Sequence, residues 1–282
     1  SYHFSWNYIK CSWRTLNINM EKPSLDTAKA GAIRFNTDSS QMEIYDGNQW
    51  TGVLSTSPEQ QTGGTRAMML SGAYPVNTDI QIFNIATTGN AVDSGFDFGT
   101  SRYLGGAASD RTRGVYFGGY SPSAEIRFNS IPSVGSTSDF GDLTSARFGA
   151  TGVSNGTRGI SLGGSGPTGG SINAGMNNIE YVTIQHLGTG QDFGDLTEAG
   201  YNQTCSMSSP TRGFVGSGIY LSPSATQQDS IEFVTISTQG TAADFGDAIN
   251  SPRALGALAS PTRGIVAGGT PDASIELFKA SI

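Results

Sequence analysis

The sequence is poor in the residues that form catalytic, metal and disulfide sites. Its 282 residues include 2 cysteines and 2 histidines. Cys11 and Cys205 lie far apart and have no metal-ligand spacing. Neither His3 nor His186 stands near a cysteine or a pair of serines in the sequence. We therefore expect no disulfide, no metal ion, no cofactor and no enzymatic activity.

Positive charge and long apolar runs are also scarce. Lys and Arg together number 16 against 23 Asp and Glu, which gives a net charge of −7 and a pI of about 4.8. A nucleic-acid-binding protein needs a basic face to neutralise phosphates, so we expect no nucleic-acid partner. No apolar run approaches the roughly 18 residues of a membrane helix, and the N-terminus lacks a signal-peptide pattern. The sequence predicts a soluble protein without membrane insertion.

Glycine and internal repetition are abundant. The chain has 39 glycines, and one phrase recurs as TRAMMLSG, TRGVYFGG, TRGISLGG, TRGFVGSG and TRGIVAGG. Successive arginines of the phrase are 47, 45, 54 and 51 residues apart; they are Arg66, Arg113, Arg158, Arg212 and Arg263. A period in this range is the signature of a solenoid or a propeller.

Each repeat contains segments typical of short strands. A small-residue segment precedes the Thr-Arg-Gly phrase, an Ile-Glu segment such as IEYVTI follows it, and an Asp-Phe-Gly segment ends most repeats. Gly, Ser, Pro and Asn separate these segments. The sequence therefore predicts an all-β fold, a β-propeller with one repeat per blade. We expect four phenylalanines to pack between neighbouring blades: Phe98, Phe140, Phe193 and Phe245.

The repeats resemble those of Kelch-type propellers. In the fifth repeat AGG, residues 267–269, precedes the acidic-aromatic segment SIELF, residues 274–278, as in a Kelch blade. The departure is the fourth strand, where Asp-Phe-Gly replaces the Kelch tryptophan. The fifth repeat has no such strand, so we expect residues 48–54, with Trp50 beside Phe278, to complete a five-bladed ring. The alternative is a ring completed by another subunit or by further residues of the protein.

A separate module precedes the repeats. GAIRFNTDSSQMEIYDGNQW, residues 31–50, reads as three strands joined by turns. It is similar to a short module in virion proteins of tailed bacteriophages, especially fibres; the matching residues are Gly31, Ile33, Arg34, Phe35, Asn36, Thr37, Tyr45, Gly47 and Trp50. The repeats are also similar to those in structural proteins of cyanobacterial tailed phages (cyanophages). Together the resemblance covers residues 31–282.

The resemblance implies a structural protein of the virion, assembled in the host cytoplasm. We expect an N-terminal β segment, residues 1–54, for attachment and closure, and a propeller, residues 55–282. Aromatic residues at the N-terminus, the first four of which alternate at strand period, are expected to anchor the chain to other virion proteins: Tyr2, Phe4, Trp6, Tyr8 and Trp13. The alternative is a strand that covers this chain's own barrel or ring. The usual symmetry of fibres implies a homo-oligomer, a trimer.

The long connections of the third and fourth repeats are the candidates for recognition. They span residues 165–178 and 219–230, and insertions on one rim of a propeller are where recognition tends to occur. The residues predicted to contact a host-surface glycan or protein are Tyr220, Leu221, Gln227, Asn173 and Asn177. The function implied is host attachment by a tail fibre or tail component. Two alternatives stay open, a capsid decoration or head-fibre protein and a surface-polysaccharide hydrolase.

Four sequence patterns suggest other chemistry but have simpler explanations. Ser154 in GVSNG matches a nucleophile elbow, although a turn is expected there and no helix follows. GSGPTG, residues 164–169, matches a dinucleotide fingerprint but also lacks its helix. Asp pairs such as Asp139 and Asp142 fit turn caps better than calcium ligands. We expect the repeated arginines to pair between blades with Glu180, Glu232 or Glu276.

Overall fold

The structure is a computed structural model that describes eleven segments between residues 28 and 278. They are 28–36, 41–52, 64–72, 77–120, 122–168, 171–197, 204–220, 226–249, 256–260, 263–269 and 275–278. All regular elements in them are β-strands in antiparallel pairs, so the predicted all-β class is confirmed. No helix in these segments could cross a membrane. The chain forms two compact units, Ser1–Ser57 and Pro58–Ile282, and each is described by itself.

The first unit contains a three-stranded sheet, as the sequence predicts. Its strands are β1 (Ile33–Asn36), β2 (Gln41–Tyr45) and β3 (Trp50–Gly52), hydrogen-bonded in that order. On one face Arg34 pairs with Glu43 at 2.6 Å, and the Arg34 guanidinium lies 4.1 Å from the centre of the Trp50 ring. Trp50 is therefore part of this sheet, and closure of the fifth repeat by residues 48–54 stays a prediction.

The second unit consists of one sheet for each Thr-Arg phrase, which we call the first to fifth repeat sheets. The first has β4 (Arg66–Gly72), β5 (Asn77–Asn84) and β6 (Val92–Asp97). The second has β7 (Gly106–Ser109), β8 (Arg113–Phe117), β9 (Ser123–Ser130) and β10 (Ser138–Arg147). The third has β11 (Thr151–Ser154) and β12 (Arg158–Leu162), a separate hairpin of β13 (Ser165–Thr168) and β14 (Ser171–Gly175), and then β15 (Asn178–Thr183) and β16 (Gln191–Asp195).

The fourth and fifth repeat sheets continue the pattern. Their strands are β17 (Cys205–Ser208), β18 (Arg212–Tyr220), β19 (Thr226–Thr235) and β20 (Ala243–Asp247), followed by β21 (Gly256–Ala259), β22 (Gly264–Ala267) and β23 (Ile275–Phe278). In each four-stranded sheet the order is small-residue strand, Thr-Arg-Gly strand, Ile-Glu strand and Asp-Phe-Gly strand, as predicted. Among the described strands no sheet closes on itself.

The core lies between successive repeat sheets. Val153 of the third sheet forms one buried cluster with Val215 and Val234 of the fourth. The inner strands, which are the small-residue strands β7, β11, β17 and β21, come very close to one another. A Cβ atom on Gly152 would lie 2.3 Å from the main-chain oxygen of Ala107 in the preceding sheet. Because main-chain atoms of a packed neighbour cannot yield, only glycine fits at this position.

The glycine of the repeated phrase makes a second close contact between sheets. A Cβ atom on Gly213 would lie 2.5 Å from the Val153 side chain, and one on Gly159 would lie 3.2 Å from the Ala108 side chain. Val153 and Ala108 belong to the inner strand of the sheet before. The repeated glycine thus provides the space in which that strand packs.

The arginine of the phrase connects each sheet with the next one along the chain. Arg113 donates a hydrogen bond to the main-chain oxygen of Ile184 at 2.9 Å, and Arg158 donates to that of Ile236 at 3.0 Å. The Arg113 guanidinium also lies 4.4 Å from the centre of the Phe128 ring in its own sheet. Arg66 donates in the same way to the main-chain oxygen of Ile131 at 2.7 Å. Each of these three arginines therefore satisfies a carbonyl at the end of the next Ile-Glu strand, and the charges of Arg113 and Arg158 also face an aromatic ring.

The prediction that Glu180 pairs with an arginine of the repeated phrase is wrong. Glu180 pairs with the buried Arg147, a residue outside the repeated phrase. Glu232 accepts hydrogen bonds from the N–H group and hydroxyl of Thr197, at 2.9 and 2.7 Å. The side chain of Glu276 lies outside the described residues. Glu180 and Glu232 do link neighbouring sheets, but their partners are residues that follow the Asp-Phe-Gly sequence of the preceding repeat.

The pair of Arg147 and Glu180 is enclosed between the second and third repeat sheets. Both side chains are fully or almost fully buried, with exposed fractions of 0% and 2%. Arg147 also donates to the main-chain oxygens of Gly163 and Asn178, each at 3.1 Å, and Glu180 accepts from the Thr144 N–H group at 2.7 Å. Burial lowers the pKa of Arg147, and the Glu180 carboxylate acts against this shift. An arginine stays charged in proteins, so the pair must hold both charges inside.

The Asp-Phe-Gly sequence forms a β-bulge in the outer strand. In the second repeat sheet Phe140 is the extra residue between the register positions of Asp139 and Gly141. The bulge turns the Phe140 ring into a buried cluster with Val182 of the third sheet. Gly141 has φ +143°, and a Cβ on it would lie 2.3 Å from the main-chain oxygen of Gly188 in that sheet. Phenylalanine and glycine are therefore both needed for this contact.

The other phenylalanines of this motif take similar positions. Phe98 is fully buried and lies 4.8 Å from the Tyr116 ring of the following sheet. Phe193 belongs to the buried cluster that spans the third and fourth repeat sheets. Phe245 is half-buried and packs edge-on against Phe214 of its own sheet at 5.1 Å. Phe245 also packs against a buried cluster that includes Val266 of the fifth repeat sheet. Packing between sheets is thus confirmed for all four phenylalanines.

Replacing Gly141 with alanine tests the contact between outer strands. Gly246 occupies the same bulge in the fourth repeat sheet with φ +133°, but nothing lies within 4 Å of a Cβ there. We expect Gly246→Ala to lower the free energy of unfolding by about 1–3 kcal/mol through backbone strain alone. Gly141→Ala should lower it by about 1–3 kcal/mol more, because the methyl group meets main chain. Equal losses in urea denaturation would contradict the close contact.

The buried ion pair predicts a non-additive response to mutation. Arg147→Met leaves the Glu180 carboxylate buried without its cation, so we expect a loss of about 3–5 kcal/mol in the free energy of unfolding. Combining Arg147→Met with Glu180→Gln removes both charges and should recover much of this loss. Arg111→Met, at an exposed position, is the control and should stay within about 0.5 kcal/mol. A double variant that is less stable than Arg147→Met would overturn this account.

Candidate functional site

Antiparallel connectivity gives the repeat sheets two different ends. Turns from the first to the second strand, and from the third to the fourth, lie at one end, which we call the turn end. Connections from the second to the third strand lie at the opposite end, the hairpin end. The binding residues predicted from the sequence belong to the hairpin end, whereas a cavity lies at the turn end.

The turns between the first and second strands share one hydrogen-bond pattern. Asp110 Oδ1 accepts from the N–H groups two and three residues further on, at 2.6 and 2.7 Å. Asn155 Oδ1 accepts in the same way at 3.0 and 2.9 Å, and Ser209 Oγ at 3.3 and 3.0 Å. Ser260 Oγ accepts from the third residue at 3.1 Å. Asp, Asn and Ser recur before the Thr-Arg-Gly phrase because each can stabilise this turn with a side-chain oxygen.

These turns line a cavity of about 600 Å³, to which four repeat sheets contribute. The lining residues are Ser109, Asp110, Arg111, Thr112, Ser154, Asn155, Gly156, Thr157, Ser208, Ser209, Pro210, Ala259 and Ser260. Hydroxyl groups predominate, and Asp110 and Arg111 contribute one charge of each sign. The volume lies within the range of small-molecule sites, and the lining can exchange hydrogen bonds with an uncharged polar molecule.

Asp110 is the one carboxylate among these lining residues. Partial burial raises the pKa of Asp110, but hydrogen bonds from Gln185, Thr112 and Arg113 outweigh burial and hold the pKa below its usual value. Both carboxylate oxygens are engaged, since Oδ2 accepts from the Gln185 amide. Asp110 therefore stabilises its turn as an anion, and the common glycosidase mechanism would need a second carboxylate.

The structure favours the simpler explanation of each of the remaining motifs. Ser154 ends β11, a turn and β12 follow it, and its hydroxyl donates to the main-chain oxygen of Ser109 at 2.6 Å. The GSGPTG segment leads into the β13–β14 hairpin instead of a helix. Asp139 Oδ1 accepts from the Gly141 N–H group at 3.2 Å. No cluster of metal-ligating side chains occurs in the described segments.

At the hairpin end, the connections predicted as loops are largely β-structure. The third repeat sheet carries the β13–β14 hairpin, and the fourth has β18 and β19 extended as far as the pair Tyr220 and Thr226. The prediction of loops is wrong here because both insertions are long enough for two strands to pair their main chains. The register places Gln227 one position from Thr226, opposite Ile219, so Gln227 and Tyr220 lie near one hairpin tip.

The other predicted binding and anchoring residues are distributed differently. Asn173 lies in β14, and Asn177 directly precedes β15, where its main-chain oxygen accepts from the Leu196 N–H group at 2.7 Å. These two asparagines therefore belong to the third repeat, Asn173 in its separate hairpin, and not to the hairpin of Tyr220. Several predicted residues lie outside the described residues: Leu221, Tyr2, Phe4, Trp6, Tyr8 and Trp13.

Sequence reasoning missed an aromatic cluster at the same end of the second repeat sheet. The ring centres of Tyr103 and Tyr120 are 5.0 Å apart, and those of Tyr120 and Phe148 are 5.4 Å apart. The three residues come from three connections separated by many residues, so no local pattern joins them. The sequence offers only one indication of this cluster, namely that each of the three is an aromatic residue in a connection that contains glycine.

Comparison of the chain with protein-family models finds no match, and comparison with curated proteins finds no relative.

The turn of Asp110 predicts a specific dependence on acid. Because its pKa is lowered in the folded state, the carboxylate stabilises the protein above the pKa of the unfolded chain, and this contribution disappears as pH falls through the folded pKa. Asp110→Asn keeps the turn acceptor without the charge, so the stability of the wild type relative to this variant should fall below about pH 4. Asn155→Asp, at the matching turn, should acquire the same dependence. Parallel pH profiles for all three proteins in thermal unfolding would contradict this assignment.

Proposed function

We propose that this chain is a structural protein of a tailed-phage virion, a tail fibre or tail component, and that its repeat sheets form a five-bladed Kelch-like β-propeller. The observation that carries the proposal is the contact of successive inner strands, β7 with β11, β11 with β17, and β17 with β21. Sheets that meet side by side through their first strands have the packing of propeller blades. Residues 48–54 or another subunit would supply the outer strand of the fifth blade.

The virion assignment is supported by the module before the repeats. Residues 31–50, whose sequence resembles a module of phage fibre proteins, contain β1, β2 and the start of β3. In the proposal this unit attaches the chain to other virion proteins, and the protein is a homotrimer. The chain has no basic excess, in keeping with a protein partner for this unit and no nucleic acid.

The proposed role of the propeller is to contact a glycan or protein of the host surface without catalysis. Support comes from the two hairpins at the hairpin end, which extend beyond the regular strands of the third and fourth repeat sheets. The single carboxylate of the turn-end cavity favours binding over hydrolysis there. Many copies on one particle would add weak contacts into useful avidity.

A density map of the assembled particle tests this proposal. We expect residues 28–52 against a tail or baseplate protein and the β13–β14 hairpin directed outward, because the first unit attaches and the hairpin end recognises. Antibody against that hairpin should reduce adsorption of the particle to its host, whereas antibody against residues 28–52 should not. Hairpins buried against the capsid lattice would assign the protein to capsid decoration. Release of reducing sugar from host polysaccharide would assign it to hydrolysis.

A further inference from the structure

Four side chains at the hairpin end of the second repeat sheet form what we call the aromatic platform: Tyr103, Leu104, Tyr120 and Phe148. Phe148 is buried, and its ring stands edge-on to Tyr120, with an interplanar angle of 88°. Tyr120 and Leu104 remain 40% and 39% exposed. Phe148 therefore supports Tyr120 from the buried side, while the other three side chains stay partly exposed at this end of the sheet.

The main chain under the platform is held in place. The Tyr120 N–H group donates to the Tyr103 main-chain oxygen at 2.8 Å, and the Gly149 N–H group donates to the Leu104 main-chain oxygen at 2.6 Å. Arg102, next to Tyr103, forms an ion pair with Glu125 of strand β9. A surface fixed in this way loses little conformational entropy when it binds a ligand.

Leu104 has an unusual backbone conformation. Its φ of +57° lies in the left-handed region, which a bulky side chain adopts only with strain. A glycine at position 104 would be free of this strain. The chain does have glycines at the next two positions, Gly105 and Gly106, but it keeps leucine at position 104. The strained residue directly follows Tyr103 and keeps an apolar side chain 39% exposed, so burial does not compensate fully for the strain. Strain of this kind concentrates at ligand contacts.

The size of the platform argues for a small ligand. A stable protein interface needs about 800 Å² on each partner, far more than three partly exposed side chains supply. Aromatic rings instead offer a flat face of about the width of a pyranose ring, whose axial C–H groups carry partial positive charge and are attracted to the ring face. The hydroxyl of the half-exposed Tyr120 can donate and accept hydrogen bonds, as a sugar hydroxyl requires.

The Tyr103 and Tyr120 rings are tilted 35° to each other, so the exposed Tyr120 ring is the face that a ligand can cover. We propose that the aromatic platform binds a pyranose ring of a saccharide, with Tyr120 stacked on the sugar and with Tyr103 and Leu104 beside it. This rests on the proposed function in one respect, namely that the saccharide belongs to the host surface. The neighbouring β13–β14 hairpin extends the site, because Ser165 exchanges two main-chain hydrogen bonds with Phe148, each 2.8 Å long. Further sugar units can contact this hairpin.

Saturation-transfer NMR on the full chain tests the proposal with three probes, cellotetraose, maltotetraose and chitotetraose. We expect transfer to the C–H protons of at least one tetrasaccharide. Tyr120→Ala should weaken its binding about 2- to 10-fold, as expected for loss of one stacking contact. Tyr120→Phe keeps the ring and should retain most of the affinity. Phe96→Ala removes an aromatic side chain that is 41% exposed in β6 and serves as the matched control.

Two outcomes would overturn the platform. One is absence of transfer to all three sugars, and the other is unchanged affinity in Tyr120→Ala with a normal unfolding transition. Leu104→Gly separates binding from folding, because it should stabilise the chain by relieving strain while weakening the sugar contact. These measurements use the purified protein, so they are independent of where the chain sits on a particle. Failure of the virion proposal would leave the sugar result standing, and the reverse also holds.

Discussion

The close approach of neighbouring inner strands is the constraint on which the rest of the second unit depends. At Gly152 the neighbouring main chain is so near that no side chain can be accommodated, and the glycine of the repeated phrase receives the inner strand of the preceding sheet. Such close contact leaves little space between sheets for water. Polar groups at these contacts therefore need partners within the protein, and the repeated arginines and glutamates supply them.

Several charged side chains of the second unit join neighbouring sheets. Arg113 and Arg158 reach carbonyls of the following sheet, and Arg147 is enclosed with Glu180. This leaves the turn end with hydroxyl groups and the hairpin end with an aromatic surface, two chemically different faces on one scaffold. If the proposed recognition by neutral groups holds, binding should depend only weakly on ionic strength, because salt screens exposed charges and not apolar contacts.

The regular part of the fold could be predicted from the sequence, because repetition reveals strand order five times. The position of Phe140 between sheets and the turn at Ser154 followed from the same repetition. The partner of Glu180 could not be found in this way, since Arg147 lies outside the repeated phrase. The platform of Tyr103 and Tyr120 was equally hidden, because its residues meet only after the sheets have packed. Features that recur at the same position of every repeat could be predicted from the sequence. Contacts between positions that are not equivalent in the repeats could be identified only from the three-dimensional structure.

The forward direction of the arginine contacts has a consequence for how such a chain can change over evolutionary time. Each of the first three repeats carries a guanidinium that reaches a carbonyl at the end of the Ile-Glu strand of its successor. Duplication or loss of one whole repeat therefore adds or removes both the arginine donor and the carbonyl acceptor of this contact between sheets. Recombination between copies can lengthen or shorten the array without new complementary mutations, and selection can then act on the surface connections alone.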